Sequence, residues 1–151
     1  MLRILFIVSL FLSNSHCQAQ DDYLFEDHSY TIVFSSKKYA NALKVAKKAS
    51  AKLNLEMDLG NNTPSKKEGL TNNSECNCGT QHGYIPRGKG GEGSYVSIEY
   101  TDAFQDFSKG YYIVVVQNGM REDLKSELLK IQSVFADAYI KTTQIYIGCM
   151  H

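Results

Sequence analysis

The chain has no tryptophan, no excess of either charge, and no apolar run long enough to cross a membrane as a helix. Each absence narrows the function. The 16 basic and 16 acidic residues cancel, and no concentrated basic patch offsets that balance, so there is no electrostatic case for a nucleic-acid partner. The apolar run at residues 4–12 is broken by Ser9 and is less than half of the roughly 20 residues that a membrane span needs. Gly-x-Ser-x-Gly, His-Glu-x-x-His and P-loop motifs are all missing, and with them the usual nucleophile elbows, zinc helices and phosphate cradles. The expectation is a protein that is not an enzyme and needs no cofactor.

What is present begins with an export pattern. Arg3 precedes the short apolar run, a polar region comes next, and small residues sit at Cys17 and Ala19 before a cut. Residues 1–19 read as a signal peptide. Asn14-Ser15-His16 before Cys17 do not suit a lipidation site. Taking 19 residues from 151 leaves 132, and the loss of Arg3 leaves 15 basic residues against 16 acidic ones, a net charge of −1. That length suits one domain around one core. The expected location is periplasmic or secreted, with no stable membrane anchor after cleavage.

Cys76, Cys78 and Cys149 remain in the exported chain. Export favours a disulfide. Cys76 and Cys78 are too close to pair without strain, so Cys149 with either of them is expected, leaving one odd thiol. Together with His82 and His151 these cysteines would offer three thiolates and two imidazoles. The spacing is not that of a zinc finger, so a bridge is preferred and no metal is expected.

Residues 20–28 are acidic and polar and read as a flexible leader. Residues 29–35 alternate, with Tyr30, Ile32 and Phe34 on one side, as a half-buried strand does. Ser36 is placed to cap a helix. From 38 to 53 the period changes: Tyr39, Ala42, Leu43, Ala46, Ala49 and Leu53 recur at helical spacing, and Lys44, Lys47, Lys48 and Lys52 take the other side. That is an amphipathic helix with a solvated lysine face. Residues 54–59 alternate again and read as a second strand.

An insert, residues 60–109, comes next. It opens on a turn cluster at 60–64 and contains a Gly-rich loop at 87–93, with Arg87 and Lys89 in it. Residues 95–100 read as an extra strand, and Phe104 and Phe107 as a short helical turn. A loop this long is expected to have local structure of its own. Residues 110–116 are apolar on both alternating sets, which marks a strand covered on both faces. Asn118-Gly119 leads into a helix over 120–135, with Leu124, Leu128, Ile131 and Phe135 on one face and Leu129 and Val134 widening it. Residues 139–147 form a last strand. The fold expected is α+β: a β-α-β-(insert)-β-α-β sandwich. Its four-stranded, mainly antiparallel sheet has both helices on one face, and the insert, within a single domain at 29–149, adds an extra strand.

These halves resemble the SPOR domain. Ala42, Val45, Ala46 and Ala49 fall where that family's first helix has its Ala-x-x-Leu-Ala-x-x-Leu pattern. Tyr112-Ile113-Val114-Val115-Val116 is similar to its Tyr-x-Val-x-Val strand, and Phe135-Ala136-Asp137-Ala138-Tyr139-Ile140 to its closing Phe-Pro-Asp-Ala-Tyr-Val run. The resemblance covers about residues 30–59 and 111–147. It departs where Ile32 and Phe34 replace a Gln and a Gly, where Gln117-Asn118-Gly119 replaces Gly-Pro-Phe, and in the long insert. The resemblance implies binding of peptidoglycan glycan strands across the sheet face.

Sugar sites combine aromatic faces with hydrogen-bonding groups. With no tryptophan, tyrosines would supply the rings, and Tyr30, Tyr112 and Tyr146 lie on strands, with Thr142 and Gln144 beside Tyr146. The same rings could equally finish a small core. The other reading is a secreted protein-interaction module, of inhibitor or immunity type, in which the insert meets an unidentified protein through residues such as Arg87 and Lys89. Cys78 with His82, or the carboxylates Glu56, Asp58 and Glu99, could do nucleophilic or acid–base chemistry. A bridge cysteine and a loop histidine explain the first better, and a solvated strand face explains the carboxylates equally well.

Overall fold

The computed structural model describes residues 25–75, 81–88 and 92–146. Two α-helices, one 3-10 turn and seven strands are described, in the order β1 (Phe25–Ser36), α1 (Tyr39–Leu53), β2 (Asn62–Ser65), β3 (Gly69–Glu75), β4 (Gln81–Gly83), β5 (Gly93–Tyr100), the 3-10 turn (Thr101–Ala103), β6 (Tyr112–Gly119), α2 (Arg121–Gln132) and β7 (Tyr139–Tyr146); the helical turn expected at Phe104 and Phe107 thus lies just before them. The main sheet has the order β5-β6-β1-β7, and every neighbouring pair in it is antiparallel. Hence β1 and β5 run parallel with β6 between them, and β6 and β7 run parallel with β1 between them. The chain is therefore two interlocked split βαβ units, an α+β fold with both helices packed on one side.

The second strand of the first unit is β5, not residues 54–59. Residues 54–59 make only an isolated parallel bridge, Met57 to Val96, with Val96 N–H donating to Glu56 O at 2.8 Å and Asp58 N–H to Val96 O at 2.9 Å. Leu55, Met57 and Leu59 still pack against the core. The alternation therefore reported burial correctly while the ladder went to a segment nearly forty residues later. This short run lies along the outer side of β5 and limits the exposure of that edge. β2, β3 and β4 form a separate three-stranded antiparallel sheet within the insert.

β1 starts earlier than its alternation suggests. Residues 25–28, whose polarity reads as leader, pair with Thr143–Tyr146 of β7, in an eight-residue ladder with no register shift. A shift between Ile32 and Phe34 in the β1–β6 register marks a bulge at Val33. Val33 and Phe34 consequently both pack on the helix side. Ser36 does not cap α1: Lys38 occupies the N-cap without a side-chain bond, and Ser36 Oγ instead accepts from Lys38 N–H at 3.0 Å. Asn54, at φ 52°, closes the helix in the left-handed conformation.

On the helix side, Ala42, Ala46 and Ala49 of α1 lie fully buried against Val96, Ile98, Tyr112, Val114 and Val116. Alanine there lets the helix backbone approach the sheet closely. On the other side, Tyr30, Ile32, Ile113, Val115 and Ile145 form a second cluster with Phe104 and Phe107. Fully burying a branched side chain of this kind stabilises the fold by about 1.5–3 kcal/mol, and β6 does so on both faces. Its double-sided apolarity thus has a direct cause: α1 covers one face and the 101–109 segment of the insert covers the other. α2 presents Leu124 and Ile131 inward, but Leu129 is 78% exposed and Val134 38% exposed, so the apolar face is narrower than the periodicity suggests.

Candidate binding groove

Covering the second face separates the tyrosines that the sequence offers as a glycan site. Tyr30 is fully buried, and its hydroxyl donates to Arg87 O at 2.7 Å. Burial first, then the Glu99 charge, pushes its pKa well above the ordinary value, with Arg87 opposing. Tyr112 lies on the opposite face, buried between Tyr39 and Tyr100, and donates to Gly69 O at 2.9 Å. Thr142 Oγ1 is bonded to Ser29 Oγ at 2.7 Å and to Arg121 Nη1 at 3.0 Å. Gln144 is exposed two residues further along β7. These residues do not form one surface. The side chain of Tyr146 lies outside the described residues, as do Lys89, Cys76, Cys78, Cys149 and the side chain of His82.

Arg87 is not a free cation on a loop tip. It is buried, and its Nε donates to Asn118 Oδ1 at 2.7 Å. Nη1 donates to Tyr95 O at 2.6 Å, Ser97 Oγ at 3.2 Å and Val115 O at 3.3 Å, and Nη2 to Gly93 O at 2.7 Å. Burial lowers its pKa from the usual arginine range, and nearby Tyr95 and Glu99 act against that. Glu99 is buried beside it and accepts from Arg87 N–H at 3.1 Å and from the Tyr84 hydroxyl. The Tyr84 hydroxyl also accepts from Tyr100 N–H at 3.2 Å, and burial together with Glu99 raises its pKa. Of the three carboxylates that the sequence offers as a shared face, Glu56 and Asp58 are exposed and off the ladder, and Asp58 Oδ1 accepts from Gly60 N–H at 2.7 Å. The buried cluster is a clamp with its hydrogen bonds met internally.

One end of the second face stays open. A groove of about 310 Å³ is lined by Ser35, Thr101, Phe107, Ser108, Tyr111, Ile113, Tyr139 and Lys141. Ile113 and Phe107 are buried in the second cluster, while Tyr139 is 44% exposed. Thr101 positions Tyr111: its Oγ1 accepts from Tyr111 N–H and its N–H donates to Tyr111 O, each at 2.9 Å. Asp102 Oδ1 holds the preceding Gly110 N–H at 2.6 Å, where φ is +84°. Lys141 Nζ donates to Asp106 O at 2.5 Å and lies 4.5 Å from the Phe107 ring centroid. Lys37 Nζ lies 5.4 Å from that of Tyr111. The groove therefore has an apolar floor, two tyrosines, hydroxyls and one cation, Lys141, a mixture found at small-ligand sites.

Neither Tyr111 nor Tyr139 stands out in the sequence as a site residue. Parity holds the signal: Tyr111 alternates with Ile113 and Val115, and Tyr139 with Lys141, Thr143 and Ile145. Joining those two sets requires knowing that β6 and β7 both flank β1, which no local pattern states.

The fold and groove thus define a split βαβ domain with a covered sheet and one open, aromatic-lined end. No protein-family model, curated protein or solved structure matches the chain.

Proposed function

We propose that the chain is an exported, non-catalytic binding domain of the cell envelope that holds a peptidoglycan glycan strand in the Tyr111–Tyr139 groove. The observation that supports this reading is the pairing of two tyrosines with the hydroxyls of Ser35, Ser108 and Thr101 at the open end of the sheet face. Tyrosine rings offer flat apolar surface to the C–H faces of a sugar, and hydroxyls and ammonium groups meet its oxygens. The SPOR-like strand–helix pattern and the N-terminal export pattern point the same way. The covered centre confines contact to this groove, so one or two sugar rings would be held rather than a strand laid across the whole sheet. Glycoside hydrolysis uses a pair of carboxylates, whereas this lining offers hydroxyls and an amine, which favours binding over cleavage.

The test is retention of the mature protein on purified peptidoglycan, before and after amidase treatment, for the wild type and for Tyr111→Ala with Tyr139→Ala. The expected result is retention that the double variant lowers at least tenfold. Failure to bind either preparation, or unchanged binding by a folded double variant, overturns the reading.

A second reading, recognition of a protein through the insert, is favoured by Ile85. It is 40% exposed beside a cleft of about 220 Å³ that also contains Asp58, Asn62 and Tyr95. Removing residues 63–93 does not test it cleanly, because that also removes the Arg87 clamp. Ile85→Asp is the cleaner change: it alters the cleft and leaves the clamp in place.

A further inference from the structure

The two helices treat charge in opposite ways. α2 has three cations, Arg121, Lys125 and Lys130, and three anions, Glu122, Asp123 and Glu127. Its acids lie in the first turn and Lys130 in the last, as the helix dipole prefers, and it pairs Lys125 with Glu122 at 2.7 Å and Lys130 with Glu127 at 3.7 Å. α1 contains Lys44, Lys47, Lys48 and Lys52 and no acidic residue at all. Its first turn has no anion, and Lys37 and Lys38 precede it, where the dipole disfavours positive charge. Among the described residues none of these six lysines makes an ion pair. Lys48 and Lys37 contact the rings of Phe135 and Tyr111.

The four helix lysines are exposed and share one side. At about 100° per residue, Lys47, Lys44, Lys48 and Lys52 spread over roughly 140°, opposite the buried alanines. Ala40 and Ala51, also exposed, are the small residues on that side, and the lysines extend about 12 Å along the helix axis. Like charges three and four residues apart repel. Lys125 and Lys130 are thus paired within their own helix, whereas the α1 lysines, which read as a solvated face in the sequence, gather on one side without a counter-ion.

We propose that the lysine face of α1 is a docking surface for an anionic phospholipid membrane. A plane of negative headgroups complements a helix face whose charges are all positive. Lysine, a hydrated point charge, suits a diffuse anionic surface, whereas arginine would suit bidentate capture of a single phosphate. The exposed side of α1 has no large apolar side chain, so contact is electrostatic and reversible, without insertion. This is distinct from an anchor, and it is independent of the groove.

The test is co-sedimentation of the mature protein with phosphatidylcholine vesicles, with and without phosphatidylglycerol. Binding is expected only to the anionic vesicles, and is expected to vanish near 1 M salt, where screening length falls to about 3 Å. Changing Lys44, Lys47, Lys48 and Lys52 together to Gln lowers affinity on the order of a hundredfold or more, with an unchanged circular dichroism spectrum because all four are exposed. Lys125→Gln with Lys130→Gln, on α2, leaves vesicle binding intact, and so does Tyr111→Ala with Tyr139→Ala. No binding to anionic vesicles overturns the proposal. So does equal loss in the α1 and α2 variants, which would make net charge the cause. Binding to soluble polyphosphate without binding to vesicles also overturns it, assigning the face to an anionic polymer.

Discussion

The guanidinium of Arg87 lies over the ring of Tyr95, 3.5 Å from its centroid, while its Nη1 donates to the carbonyl of the same residue at 2.6 Å. The main chain of Arg87 is engaged as well, through Glu99 on its N–H and Tyr30 on its carbonyl. One residue of the insert thereby joins β1, β5 and β6. Its partners are strand carbonyls and side chains of β5 and β6, several of them buried.

Removing that side chain should cost more than any surface change. Arg87→Ala removes the bonds to Asn118 Oδ1 and to the carbonyls of Gly93 and Tyr95, and takes away a cation that interacts with buried Glu99. Breaking a buried charged network from one side costs about 3–5 kcal/mol. Arg87→Lys keeps the charge but not the planar fork, so it should fall between wild type and Ala. Urea midpoints at constant slope measure this. A cost under about 1 kcal/mol for Arg87→Ala would contradict the clamp.

Gly69 brings the insert close against Tyr100 of the main sheet. A Cβ there would meet Tyr100 Cε1 at 2.2 Å, and the backbone is at φ +73°. Gly69→Ala combines a left-handed conformation with overpacking, so a loss of about 2–4 kcal/mol is expected. Gly60→Ala is the control. It is also left-handed, at φ +55°, but the nearest atom is 3.5 Å away, so about 1–2 kcal/mol from conformation alone is expected. Shortening Tyr100 to Ala should narrow the gap between the two.

Local pattern makes the two halves legible because each helix and strand shows its own period. Ala42, Ala46 and Ala49 lie where helical spacing puts them, and β6 is covered on both faces as its residues demand. What stays hidden depends on partners distant in sequence. Residues 54–59 alternate as well as 95–100 do, and nothing local says which joins the ladder. Phe25 to His28 look like leader until β7 pairs with them. Arg87, beside glycines, resembles a loop cation, and its burial arises only from acceptors on β5 and β6. The groove residues Tyr111 and Tyr139 escape notice for the same reason.

The buried tyrosines give the fold an alkaline limit. Burial raises the Tyr30 and Tyr84 pKa values in the folded protein above the unfolded value of about 10. Below pH 10 both states are protonated and stability is unaffected. As pH rises past 10 the unfolded state releases these protons first. Stability then falls by up to about 1.4 kcal/mol per pH unit for each such group, until the folded-state pKa is reached. Thermal midpoints should be flat from neutrality to about pH 9.5 and drop above it. Tyr84→Phe should make the drop shallower, and an unchanged profile in that variant would contradict this origin.

Leu124 and Leu129 are both apolar positions of one helix with opposite environments. Leu124 is buried and Leu129 is 78% exposed. Leu124→Ala should lose about 2–5 kcal/mol through lost burial and a cavity. Leu129→Gln should stay within about 0.5 kcal/mol of wild type. Equal destabilisation would mean that Leu129 is covered in solution, which analytical ultracentrifugation would reveal as self-association.

Tyr111 and Tyr112 are neighbours in sequence whose rings serve opposite faces of the sheet, so their substitutions should separate binding from stability. Tyr112 packs on Tyr39 and Tyr100, with ring centroids 5.4 and 5.0 Å away, and its hydroxyl holds Gly69 O. Tyr112→Ala should cost about 3–5 kcal/mol, and Tyr112→Phe about 1 kcal/mol for the single hydrogen bond. Tyr111 lines the groove and is held by its backbone to Thr101. Tyr111→Ala keeps those backbone bonds, so stability should change by less than about 1 kcal/mol while retention on peptidoglycan falls. Tyr112→Phe should bind as wild type. If Tyr112→Phe instead lost retention while folded Tyr111→Ala kept it, the ligand would lie on the helix side of the sheet, and the groove assignment would be wrong.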